Sequence, residues 1–152
     1  MTWLEWLEAT RVADAVRNSV VLTAGLSAVH LLGFTLVTGG ALVANLRLLG
    51  VLLARQPLRV IVRPATRGIA IGLLISVITG GLLFSTRATS AAANGIFQTK
   101  MTLLASASLW HLFVQRRLRL GSPDGNRPFS GLVGLTLWMG LALAGCAFIL
   151  LE

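Results

Sequence analysis

The chain has 152 residues, 55% of them hydrophobic and 12% charged, with a mean hydropathy of +0.82. Ordinary soluble domains carry about 25% charged residues, so the composition excludes a disordered chain, a disulfide scaffold and a typical cytosolic enzyme, and points to an integral membrane protein. The net charge of +8 rests on 13 Lys+Arg, of which only Lys100 is a lysine. These residues cluster between apolar runs and not beside stacking aromatics, so nucleic acid is not an expected partner and the lipid bilayer is.

In chain order, residues about 1–17 mix Trp3, Leu4, Trp6 and Leu7 with Glu5, Glu8 and Arg11. They lack the basic start and apolar core of a signal peptide, and Trp favours the headgroup zone, so this segment is expected to be one short interfacial helix. Four apolar runs follow, at about 19–45, 68–85, 96–114 and 130–151. Each has the roughly 18 or more residues that a helix needs to cross about 30 Å of hydrocarbon, and backbone satisfaction in lipid makes each a helix. The expected fold is therefore all-α: a single transmembrane domain over 1–152, built as a four-helix bundle behind the interfacial helix.

The connections set the orientation. Residues 46–67 hold Arg47, Arg55, Arg59, Arg63 and Arg67 with no acid, and 115–129 hold Arg116, Arg117, Arg119 and Arg127 against Asp124. The positive-inside rule places both loops in the cytoplasm and both termini in the periplasm of a bacterial inner membrane. Pro57 and Pro64 are expected to break the first loop into an elbow lying along the surface, and residues 121–126 read as a turn cluster. The lone Cys146 sits in an apolar run and reads as a buried thiol.

Within the runs, Gly68, Gly72, Ser76 and Gly80 recur every four residues, a smooth stripe suited to close helix packing or to a flat cofactor lying against backbone. No Asp, Glu, Lys or Arg lies deep in any run, which argues against an ion-coupled transporter. Both histidines, His30 and His111, do fall in spans. Counted from the outer ends, His30 lies 11 residues from Ser19 and His111 lies 13 from Gln98, so their depths agree. Counted from the inner arginines they do not, since His30 precedes Arg47 by 17 residues and His111 precedes Arg116 by five.

If the depths match, His30 and His111 can ligate one b-type haem iron from opposite sides. Gly33 and Ser108, with Ala107, would leave space beside the ligands. The leading expectation is thus a small redox-complex subunit carrying electrons through one haem, not a catalyst on its own. The alternative is an accessory or scaffold subunit without cofactor, associating with other membrane subunits or with itself. A copper-handling protein using the same histidines with Met101 or Met139 is a second alternative. Lys100 and Arg87, at outer span ends, are placed to snorkel to headgroups or to meet an anionic group such as a haem propionate.

The motif His30-Leu31-Leu32-Gly33, followed by Gly39 and Asn45-Leu46-Arg47-Leu48-Leu49-Gly50, resembles the first span of a family of uncharacterised bacterial four-span membrane proteins, "H-x-x-G … G … D-L-R-L-L-G". Thr79-Gly80-Gly81-Leu82-Leu83-Phe84 is similar to their "T-G-x-L-x-F", and Phe97-Gln98-Thr99-Lys100 to their "F-x-x-K". The resemblance spans about residues 20–120 and implies the same four-span fold. The chain departs from the pattern at Asn45, where the family has an acid. The first-span histidine loosely resembles those of small haem- or copper-handling membrane proteins.

Overall fold

The computed structural model describes residues 2–120 and 127–150, with side chains up to residue 147. The 121–126 turn lies outside the described residues. Seven helices follow one another within them: α1 (Trp3–Glu8), α2 (Arg11–Arg17), α3 (Val20–Leu48), α4 (Leu58–Ser85), α5 (Ala88–Ala93), α6 (Gly95–Arg119) and α7 (Arg127–Leu150). The four long ones run up and down, so that the α3–α4 and α6–α7 connections, and with them the loop arginines, share one end.

The expected single N-terminal helix is two. Thr2 and Glu5 form a reciprocal capping box that starts α1, and Thr10 accepts from the Ala13 N–H to start α2. Two N-caps eight residues apart cannot serve one continuous helix, because a cap residue is itself non-helical. The pair is fastened over the end of the bundle opposite the loop arginines. Arg17 donates through Nε to the Thr86 carbonyl (3.1 Å) and through a terminal guanidinium nitrogen to the Glu8 carbonyl (2.9 Å). The Glu8 carboxylate accepts the Thr89 N–H at 2.6 Å. Arg87, at the N-cap of α5, makes no side-chain cap bond, so Glu8 caps that helix from another element. Trp3 and Trp6 remain exposed, as interfacial anchors should be.

The second long helix also differs from expectation. α4 begins at Leu58, ten residues before the expected start, and runs through Pro64. Proline there removes one backbone bond, to the Val60 carbonyl. At about 1.5 Å per residue the 28-residue helix is about 42 Å long, about eight residues more than a core of about 30 Å needs, so its first two turns project. Water can serve the freed carbonyl there, and Arg59 and Arg63 stand on the same projecting stretch, with Arg67 just past it. Sequence reasoning also missed α5, which turns the chain between α4 and α6.

Packing follows the small residues. A Cβ on Gly72 would lie 2.5 Å from the Gly33 carbonyl and 2.9 Å from Leu36 Cβ, and one on Gly40 would lie 2.8 Å from the Ala65 carbonyl. α3 and α4 therefore meet backbone to backbone. α7 packs on the other side of α3, where Gly131 faces the Asn45 carbonyl and Gly145 faces Phe34. α6 packs on α7, with Leu103 over Gly140 and Trp110 Nε1 donating to the Ser130 carbonyl at 3.1 Å. The core lies where these layers converge, on Val37, Ala41, Ile69, Ala107, Trp138 and Leu141.

The surface is the inverse of a soluble protein's. Its accessible area is 9330 Å², against about 7,400 Å² for a compact soluble chain of this mass. Leu32, Leu74, Leu109 and Leu143 are each more than 60% exposed on the four long helices. α3, α4 and the 127–147 part of α7 are long and apolar enough to cross a membrane, which makes this a multi-pass membrane protein in contact with lipid. α6 is long enough but carries Gln98, Lys100, Thr102, Ser106, Ser108 and His111, and does not reach the same apolarity.

Candidate functional site

His30 points from α3 into the α4 face. Its Nδ1 lies 3.0 Å from Thr79 Oγ1, and a Cβ on Gly80 would touch its Cε1 at 2.9 Å. The Thr79 hydroxyl gives its one hydrogen to the Ile75 carbonyl at 2.7 Å, so it can only accept from the ring. This bond assigns the ring hydrogen to Nδ1. Thr79 is buried, and Lys100 of α6 lies within electrostatic reach of the ring.

His111 points from α6 toward α7. Its ring meets Trp138 edge to face at a centroid distance of 6.5 Å and an interplanar angle of 78°. Its Nε2 is buried with no hydrogen-bond partner among the described residues, as are Trp138 Nε1 and Ser76 Oγ.

The helix registers fix how far apart the two rings are. Phe84 of α4 stacks on Phe97 of α6 at 5.2 Å. One turn below that stack, Gly80, which holds His30, is level with Met101. His111 is ten residues further along α6, about 15 Å deeper. The route through α7 agrees. Asn45 sits on Gly134 and Phe34 on Gly145, which puts Trp138 level with Ala41, 11 residues or about 16 Å below His30. Two imidazoles sharing one iron need nitrogens about 4 Å apart, taking metal–nitrogen bonds of about 2 Å. A single haem held by His30 and His111 does not fit this arrangement.

The remaining site candidates divide the same way. Gly33 is buried one turn below His30, against Ser76, Ile75 and the Gly72 carbonyl, so the space beside it is taken by α4. Ser108 is half-buried on α6, on the His111 side. The stripe at Gly72, Ser76 and Gly80 is filled by α3 and leaves no slot for a flat cofactor. Among the described residues no three His, Cys, Asp or Glu side chains converge as a metal cluster. Cys146, expected to be buried, is exposed on α7.

Sequence reasoning noticed Asn45 only as a departure from a motif, yet it is one of three buried polar residues among those described. It is 4% exposed, and its Nδ2 donates to the Ala41 carbonyl at 2.7 Å. Its Oδ1 occupies the notch that Gly134 leaves in α7. An amide able to bond back to the helical carbonyl four residues earlier was the available signal; the partner glycine, 89 residues away, was not visible.

The chain matches the family model described as "Family of unknown function (DUF6644)" over residues 3–147. It belongs to that family. No curated protein and no solved structure matches it.

Proposed function

We propose that this protein is a small accessory or scaffold subunit of the bacterial inner membrane, working by helix association with other membrane subunits or with copies of itself. The observation that carries this reading is the His30–Thr79 bond. The histidine that redox chemistry would recruit fastens α3 to α4, and its counterpart lies about 15 Å deeper. α6 is the fourth span, because it returns the chain from the capped end, where α4 finishes, to the arginine end, where α7 starts. The arginine end is cytoplasmic and both termini are periplasmic.

The buried, unpartnered Nε2 of His111 favours a second reading, in which the subunit belongs to a redox complex and a haem b or quinone engages His111 rather than the pair. The experiment is a reduced-minus-oxidised spectrum of protein extracted into lipid nanodiscs without detergent, with the particle mass measured on the same sample. The accessory reading expects no stoichiometric b-type signal and a particle larger than one chain with its lipid. A stoichiometric signal lost in His111→Ala establishes the second reading, and a bare monomer defeats the first.

A further inference from the structure

α6 carries on one face a stripe at Ser106, Leu109, Trp110 and Phe113, spaced three, one and three residues apart as a helix face requires. Together with Leu137 of α7 it lines an outward-facing, apolar groove of about 440 Å³. The stripe continues one turn to Arg117, whose guanidinium carbon stands 4.9 Å from the centre of the Phe113 ring. From Ser106 to Arg117 is 11 residues, or about 16 Å, which is about half of a 30 Å hydrocarbon core. The apolar wall itself, Ser106 to Phe113, covers about 10 Å, and Arg117 stands one turn beyond it on the headgroup side, so wall and cation together cover about one leaflet.

We propose that this groove binds an anionic phospholipid of the leaflet on the arginine side. One acyl chain would lie along Leu109, Trp110 and Phe113, and the phosphate would meet Arg117. Length and charge complementarity select this occupant: a partner helix would need no cation at the groove end, and a zwitterionic lipid gains less from one. The Phe113 ring holds the guanidinium over the groove mouth through a cation–π contact, and the Trp110–Ser130 bond holds the two walls together.

Trp110 supplies the probe. The full-length protein is placed in phosphatidylcholine vesicles containing a minor fraction of either brominated phosphatidylglycerol or brominated phosphatidylcholine. The quenching that disappears in Trp110→Phe is then compared between the two lipids. The expected preference for the anionic lipid is about two- to fivefold, the enrichment one basic residue gives near a membrane surface. Arg117→Gln should bring the ratio to about one, while Arg117→Lys and Arg119→Gln, with the same circular dichroism, should retain it. Equal quenching by both lipids in the unaltered protein, or a ratio indifferent to Arg117→Gln, overturns the proposal. Absence of Trp110 quenching by either lipid does so too, since protein would then fill the groove. Excess inorganic phosphate should leave the ratio unchanged; its collapse would mean a free-anion site instead.

Discussion

His30 shows how a single hydrogen decides what a side chain can do. The Thr79 hydroxyl is committed to the Ile75 carbonyl, so the ring donates to it and this contact ties α3 to α4. Such bonds in a bilayer are worth about 0.6 kcal/mol on average and up to about 1.7. Thr79→Val, which keeps the shape and removes the acceptor, should lower stability by about that amount in a steric-trapping measurement, and Thr79→Ser should restore most of it. An unchanged stability in Thr79→Val would show that the bond fastens nothing. His111 is the opposite case. Its nitrogen is buried without a partner, so His111→Phe, which removes the polar atom while keeping a ring against Trp138, should be neutral or stabilising if no ligand uses it.

At the scale of the helix, glycines separate into those that make contacts possible and those that do not. A Cβ on Gly72 meets backbone and Cβ atoms of α3, and one on Gly134 meets the Asn45 amide, whereas Gly39 and Gly81 have nothing within 4 Å. Gly72→Ala and Gly134→Ala should therefore each destabilise the bundle by about 1–3 kcal/mol, the usual cost of overpacking. Gly39→Ala and Gly81→Ala should be neutral or gain up to about 1 kcal/mol from helix propensity. Denaturation of the four variants in one micelle system checks this; equal effects at all four would mean that α3 does not approach α4 and α7 as closely as described. The expected stripe of small residues was legible because its four-residue spacing is a property of one helix. Which of its members matter was not: Gly68 fits the spacing as well as Gly72, yet the only atom near its Cβ position is the Leu36 carbonyl at 4.0 Å.

For the whole molecule, the up-and-down order of α3, α4, α6 and α7 fixes which loops share an end, and the arginines choose the side. Reporter fusions at Gln56 should read cytoplasmic and fusions at Thr89 periplasmic; a periplasmic Gln56 would invert the assignment and move the proposed lipid to the other leaflet. The N-terminal pair of helices belongs to this scale as well. Glu8 and Arg17 join α1 and α2 to the turn after α4, so Glu8→Ala should loosen the cap. Protease sensitivity near Thr89 should rise while the spans stay protected; an unaltered digestion pattern would mean that the cap is held by its apolar contacts alone.

The material of this protein was legible in the chain alone: apolar runs long enough to span and arginines concentrated in two connections. These are local or compositional properties, and lipid leaves the backbone no alternative to helix. Tertiary structure decided everything that depends on register. Counting from Ser19 and Gln98 sets the two histidines at one depth only if those two residues are level, and α6 starts three residues before Gln98, at Gly95. The inner count, which set His30 17 residues from Arg47 and His111 five from Arg116, was nearer the truth, since α3 and α6 both finish at the arginine end. One helix can slide along another without changing a single intrahelical bond. Only the interlocking of Gly33 with Gly72, Phe84 with Phe97 and Asn45 with Gly134 fixes the offsets, and those offsets place the two imidazoles about 15 Å apart.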